Sequence, residues 1–411
     1  MKRDIIIVGG GVIGLMCAYS LVKQGRKVSI IDEGTIENSA SFGNAGLLSA
    51  FDKMPLSYPN VVLDTLKLML KGESPLTFHP TFDFKIYQWF LKFVQSANEK
   101  RVKRSMELFE IYGQMAVDLY TQMEEIDGMD LDLQKKGLLM VYTQEATFKQ
   151  KIKKCQNPER FEILDIEQTK TYLPCANDKI QGSVLLKKNS HIDPKRVMLE
   201  MKRYLEQQGV EFILEEKIEE LIFNQDEIIG VLSKNNTYEA NTIVLSTGYQ
   251  TLLAKKAHKE LMLTPAKGYS IAFEMPEELK PKTSLLFADM FIAMTPRRNN
   301  VRITSKLEIG STSQEVVQKQ IESIKDNFKR YTIPFEMKNS VEWCGFRPLT
   351  PNDMPLLGRD EKYSNLLYAN GLGWLGITFA PAIGKIIADM IYQEQRNEEN
   401  ADIMAFSGFY Q

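Results

Sequence analysis

Residues 5–8, Ile-Ile-Ile-Val, form an unbroken apolar run. That is the pattern of a strand covered on both faces, not of one that alternates between core and water. Three glycines follow, Gly9 to Gly11, with a fourth at Gly14. Apolar positions over 12–24 then recur at helical spacing. Gly25 supplies a stop, and 27–31 predicts a second strand. The three pieces make a strand-helix-strand unit of about 30 residues.

Further along, the prolines of 55–80 read as loop, interrupted by a short apolar helix near 61–70. Residues 98–126 read as a long amphipathic helix. On it Met106, Phe109, Met115, Leu119 and Met123 fall near one face, the spacing of core packing. Strands are expected at 137–143, 210–214, 228–232 and 242–246, and a helix at 197–208. The pattern over 268–273, 287–295 and 300–306 suggests an antiparallel meander, with Arg297-Arg298-Asn299-Asn300 as its turn. The last block runs from Trp343 through a loop rich in proline and glycine to a strand at 366–369. A helix at 377–392 follows. No internal repeat is visible.

These elements predict a mixed α/β (α+β) fold. A discontinuous Rossmann-like dinucleotide-binding domain is expected from 1–60, 190–252 and 340–411. A substrate domain with an antiparallel sheet and helices is expected from 61–189 and 253–339. The chain has 411 residues, beyond the size at which one core stops growing.

Composition narrows the function. The net charge is −2, and 44 % of residues are hydrophobic, which gives no basic footprint for nucleic acid. Four scattered cysteines and three isolated histidines predict free thiols and no metal site. The uncharged stretch 5–22 imitates a targeting segment, but its central glycines fit a strand, turn and helix better. No other segment reads as long and apolar enough to span a bilayer.

Gly9-x-Gly11-x-x-Gly14 follows a strand and opens a helix. Gly9 permits the tight turn, Gly11 lets the backbone approach a pyrophosphate, and Gly14 lets helix and strand pack closely. The helix start, with Val12 and Ile13, offers N–H groups and a positive dipole end. Asp32 closes the second strand where an acid accepts bonds from ribose hydroxyls, and Glu33 is its neighbour. This motif alone does not choose between NAD and FAD. A second match, Gly371-x-Gly373-x-x-Gly376, has no following strand with a terminal acid. It reads as a loop whose backbone meets a ligand at a helix start, suited to a flavin carbonyl.

Several blocks carry a resemblance. Ser41-Phe42-Gly43-Asn44-Ala45-Gly46-Leu47 resembles the flavin-approach loop of bacterial D-amino-acid dehydrogenases. Pro265-Ala266-Lys267-Gly268-Tyr269-Ser270 is similar to their P-x-K-G-Y-S segment. Trp343-x-Gly345-x-Arg347-Pro348-x-Thr350-Pro351-x-Asp353-x-Pro355 resembles their W-x-G-x-R-P block, and 371–378 their terminal flavin loop. The blocks are ordered as in that family, which groups with glycine oxidase and sarcosine oxidase, and they span nearly the whole chain. Two departures stand out: Leu372 where the family often has His, and Gly43 where it often has Ala.

The resemblance implies a non-covalent FAD and oxidative deamination of a D-amino acid such as D-alanine or D-proline. Hydride would pass from Cα to flavin N5. The products would be a 2-oxo acid and ammonia, or a cyclic imine. Electrons would go to a quinone, with the enzyme in the cytoplasm, at the inner face of the inner membrane. Arg347 is the expected carboxylate clamp, because a planar guanidinium grips a carboxylate bidentately. Tyr269, Lys267 and Tyr58 are the other expected substrate-side residues. The expected flavin contacts are Ser41, Asn44, Ala45, Gly46 and Leu47, then Ile218, Thr247 and Gly248. Gly345, Arg347, Gly371, Gly373, Trp374, Leu375, Gly376, Ile377 and Thr378 complete the set. Some relatives attach FAD to a cysteine, and Cys344 lies in this block, but a buried inert thiol is the commoner case. Val62, Leu66 and Leu70, spaced by four, fit an interfacial helix, and a core helix of this length has the same pattern. Two other readings remain open: an oxygen-using glycine or sarcosine oxidase, and a nucleotide-binding protein without turnover.

Overall fold

A computed structural model of the chain describes residues 2–70, 74, 76–396 and 407. Strands Arg3–Val8 and Val28–Ile31 pair in parallel on either side of the glycine turn and the helix Val12–Lys23. Around them grows an eight-stranded sheet. Its central run is Thr237–Leu245, Arg3–Val8, Val28–Ile31 and Glu211–Ile213, all parallel. Leu366–Asn370 pairs in parallel with the end of Thr237–Leu245, and a hairpin of Ile218–Asn224 and Glu227–Ser233 flanks that strand's start.

The apolar run at 5–8 is explained by its two covered faces. Ile5 and Ile7 pack with the helices Val12–Lys23, Glu99–Glu125, Pro194–Gln207 and Gly376–Arg396. Ile6 and Val8 pack with Ile218, Leu221, Ile243 and Leu253 on the other face. Phe109 and Met123 are fully buried in the helical layer, and Met115 and Leu119 pack against it.

A second, nine-stranded sheet has the order Lys338–Leu349, Thr264–Glu274, Val301–Ile309, Ile292–Pro296, Ser284–Phe287, Leu138–Tyr142, Gly182–Leu186 and Phe161–Leu164. Leu76–Phe78 is added to Val301–Ile309. One of its faces packs Tyr269, Ile271, Phe273 and Ile303 with Phe328 of the helix Gln318–Lys329.

Several expectations need correction. The piece read as one strand over 287–295 is two, Ser284–Phe287 and Ile292–Pro296, joined by a turn where Phe291 has φ +53°. Trp343 through Pro348 is strand, not loop. Pro348 sits near its end, where a missing N–H is tolerated. The expected boundary at residue 340 therefore falls inside a strand of the second sheet. The helices Phe84–Ser96, Glu145–Lys154, Ile166–Tyr172 and Gln318–Lys329 were not anticipated. A second segment does have the length and mean hydropathy (1.4) of a membrane span, Gly373–Tyr392, but 72 % of it is buried. It is apolar all round because it is a core helix. At Gly384 it passes so close to the first helix that a Cβ would lie 2.2 Å from Met16 O.

Candidate active site

The glycine turn is built to leave one side open. Gly9 has φ +111°, and a Cβ there would lie 2.3 Å from Ser246 O; one at Gly14 would lie 2.0 Å from Gly9 O. Gly11 caps the helix without any side-chain bond, and a Cβ there would find nothing nearer than Ser41 Oγ at 3.6 Å. The first N–H groups of a helix have no intrahelical partner, so this open side suits an anion. Ser41 Oγ accepts from Val12 N at 3.1 Å. Asp32 accepts from Gly10 N at 2.5 Å and from Gly34 N at 2.8 Å, which staples the turn to the second strand. Its remaining lone pairs stay available. Glu33 accepts from the Gln250 amide. Ser246, not singled out from sequence, donates to Gly9 O at 2.9 Å and fixes the turn from below.

The loop over 41–47 is tied to the terminal loop. Asn44 Nδ2 donates to Trp374 O at 3.4 Å, Thr378 Oγ1 to Leu47 O at 2.9 Å, and Tyr120 OH to Ile377 O at 2.7 Å. Half-buried Ala45 lies in the same loop, and Gly46 donates its N–H to Asn44 Oδ1 at 2.9 Å. Gly371 and Gly373 have φ +73° and +51°. Gly376 opens the last helix onto free space, with nothing within 4 Å of a Cβ. Leu372 and Leu375 are buried in the helical core. Thr247 Oγ1 donates to Gln250 O at 2.5 Å, Gly248 has φ +60°, and Ile218 begins its strand 7 % exposed.

This arrangement fits FAD. Two helix starts face open space, and Asn370 Oδ1 and Trp374 Nε1 are buried polar atoms with no partner beside them. Such orphans are uncommon in native interiors and mark where a ligand completes the bonding.

The substrate-side residues divide by strand alternation. Arg347 pairs with Ala266, Gly345 with Gly268 and Trp343 with Ser270. These share one face, and a Cβ at Gly268 would lie 2.5 Å from the Arg347 guanidinium. Lys267, Tyr269 and Cys344 point the other way, since side chains alternate along a strand. Tyr269 OH donates to Glu308 Oε2 at 2.9 Å inside the core, and Lys267 Nζ donates to Glu315 O at 2.5 Å. Cys344 Sγ donates to Gln314 O at 3.1 Å, away from the Arg347 face. The structure thus does not bring Tyr269 or Lys267 to Arg347. Tyr58 OH donates to Asp64 Oδ2 at 3.3 Å, and burial, then Asp64, pushes the phenol up to about 12.

Arg347 has no hydrogen-bond or ion-pair partner among the described residues, and burial alone pushes its guanidinium down to about 10. Its charge is desolvated while part of its side chain stays accessible. Trp343 lies against the 41–47 loop: a Cβ at Gly43 would fall 2.3 Å from its ring, so alanine does not fit there. Two further residues escaped the sequence reading. Buried Arg302 donates to Phe42 O at 2.7 Å and Asn44 O at 3.0 Å, fastening the loop to the second sheet. Lys53 lies 4.5 Å over the Trp374 ring near Asp353, whose carboxyl burial raises to about 6. Arg302 carries no sequence signal beyond an arginine in a strand; Lys53 has none.

The family model described as "DAO: FAD dependent oxidoreductase" matches residues 4–390. The chain belongs to this family of FAD-dependent oxidoreductases. A curated D-amino acid dehydrogenase from Helicobacter pylori (strain ATCC 700392 / 26695) is 54 % identical over 410 residues, covering 100 % of each chain. Among solved structures, glycine oxidase from Geobacillus kaustophilus aligns with TM-score 0.73 at 19 % identity, over 99 % of this chain and 98 % of its own. L-proline dehydrogenase from P. horikoshii aligns with TM-score 0.71 at 15 % identity, over 99 % and 96 %. At these identities the two structures bear on fold alone. FAD is the cofactor of this family of oxidoreductases.

Proposed function

We propose that the enzyme oxidises D-amino acids, with D-alanine and D-proline as representative substrates, and passes the electrons to a quinone at the inner face of the cytoplasmic membrane. The observation that carries the reading is the desolvated Arg347 guanidinium, which has no counter-charge among the described residues. A buried charge is retained only where it is paired. A substrate carboxylate supplies that pair bidentately, and with it orientation. Gly268 leaves the room that the Arg347 guanidinium takes, and Gly345 the room that the Trp343 ring takes. FAD, when bound, accepts the hydride lost from Cα. Loss of hydride from the neutral amine would leave an iminium ion, which sheds its N–H proton to water to give the imine; water converts that to a 2-oxo acid and ammonia, and a proline-like substrate keeps it as a cyclic imine. No general base is required of the protein, whose work is to clamp, orient and exclude water. Chirality and acceptor rest on the 54 % identical relative and the motif resemblance, since an L-proline dehydrogenase shares the fold.

The test is anaerobic. Purified holoenzyme is mixed separately with D-alanine, D-proline, L-proline, glycine and sarcosine, and the flavin absorbance is followed. Bleaching by the D-amino acids, with rapid re-oxidation by a quinone and slow re-oxidation by air, is the expected result. Bleaching by glycine or sarcosine with fast peroxide formation would contradict it.

A further inference from the structure

The helix Phe84–Ser96 carries three stripes. Ile86, Trp89, Phe93 and Ser96 face inward. Trp89 Nε1 donates to Leu349 O at 2.9 Å and so fixes the helix to the end of the Arg347 strand. Lys85, Gln88, Lys92 and Gln95 form an exposed polar stripe. The third stripe is apolar and also exposed: Phe84 79 %, Tyr87 46 %, Leu91 59 % and Val94 41 %, with Phe90 at 43 % beside it. Phe82, just before the helix, is 99 % exposed, and Leu63 on the adjoining helix Val61–Leu70 is 56 % exposed. Large contiguous apolar patches on a soluble surface mark interaction sites.

Charge indicates what covers this one. Residues 82–104 hold six basic side chains, Lys85, Lys92, Lys100, Arg101, Lys103 and Arg104, against Asp83 and Glu99. The local excess is four positive charges in a chain whose net charge is −2. Lys85 is paired with Glu260, and Arg104 with Glu107. Lys92, Lys100, Arg101 and Lys103 are exposed with no ion-pair partner among the described residues. An apolar aromatic stripe beside a basic one, on a helix lying along the surface, is the signature of interfacial binding to anionic lipid. A nearly bare Phe82 leaves its whole ring to be covered, which suits a fluid bilayer better than a folded partner.

We propose that Phe84–Ser96, with Phe82, is the face by which the enzyme docks on an anionic bilayer. This locates the membrane placement proposed above and rests on that reading only for the identity of the acceptor. The sequence expectation had placed such a helix at Val61–Leu70. Its Leu66 and Leu70 side chains lie outside the described residues. Because Leu349 is two residues beyond Arg347, the docked face adjoins the strand of the site. A lipid-soluble acceptor would leave the bilayer next to it.

The experiment is flotation of FAD-loaded enzyme with vesicles of phosphatidylcholine alone and of phosphatidylcholine mixed with phosphatidylglycerol. Wild type should bind the anionic vesicles. Phe84→Asp with Leu91→Asp should weaken binding by at least about tenfold. Flavin content and turnover of a soluble dye should be unchanged. Lys92→Glu with Lys100→Glu, which disturbs no packing, should lower binding to anionic vesicles as well. Failure of wild type to float, or equal flotation of the variants, overturns the proposal. So does a dimer in solution that the Asp variants abolish, since the face would then belong to a second copy. Dye turnover tests the proposed chemistry separately, so either idea can fail alone.

Discussion

The two faces of the strand pair Thr264–Glu274 and Lys338–Leu349 use the same kinds of residue to opposite ends. On one face Tyr269 and Lys267 are buried with their bonds closed, to Glu308 and to Glu315 O. On the other, Arg347 is half-buried and desolvated, with no hydrogen-bond or ion-pair partner among the described residues. A satisfied buried polar group stabilises a fold, whereas an unsatisfied one in a native enzyme points to a missing ligand. Polar residues in a motif are therefore not equivalent: the pleat decides which of them close their bonds inside the core and which are left without a partner.

The largest effect that would break this comparison is at Arg347. Arg347→Leu should lower the rate of flavin reduction per unit D-alanine by about a thousandfold, two charge-assisted bonds at roughly 2 kcal/mol each. FAD should stay bound. Thermal melting should be unchanged or raised, because a lone buried cation is removed. Gly268→Ala sharpens the point without touching charge. Its Cβ would collide with the guanidinium at 2.5 Å. We expect about a tenfold loss of kcat/KM, carried mainly by KM, in steady-state assays.

Next comes Tyr269→Phe on the closed face. Glu308 keeps its bond from Gln320 Nε2 at 2.6 Å but loses the phenol. Stability should fall by about 1–2 kcal/mol in denaturant titrations, with kcat essentially unchanged. A large loss of kcat with intact stability would erase the distinction between the faces.

Asp353 gives an effect of similar or smaller size that depends on pH. Burial raises its carboxyl from 3.8 to about 6. A group that binds its proton more tightly when folded contributes stability below its unfolded value and loses it as pH rises through the folded value. Stability from Asp353 should thus be lost between about pH 4 and 6. Asp353→Asn should be near neutral at pH 4 and stabilising by about 1–2 kcal/mol at pH 8, read by melting at both pH values.

The nucleotide-binding half was legible because its signals are local. An apolar run, glycines at fixed offsets and helical spacing each follow from a few neighbouring residues, and strand Arg3–Val8 and helix Val12–Lys23 appear where they were expected. The stripe at 86, 89, 93 and 96 is equally local, yet the helix Phe84–Ser96 that carries it was not anticipated. What was not legible depends on pairing. The meander's bulge near Lys306, with φ +61°, and the register that sets Arg347 opposite Ala266 are long-range facts. Arg302 grips a loop some 260 residues earlier in the chain, and no spacing rule reaches so far. Gly43, read as a departure, became intelligible only when the Trp343 ring was seen against it.

The central claim is that Arg347 is the counter-charge of a substrate carboxylate. Its most direct test compares anaerobic flavin reduction by D-alanine and by D-alaninamide, which lacks the carboxylate, in wild type and in Arg347→Leu. The account predicts that wild type strongly prefers D-alanine and that the variant loses this preference, with the two substrates reacting at similar low rates. An undiminished preference for D-alanine in the variant would contradict it and assign the carboxylate to another residue.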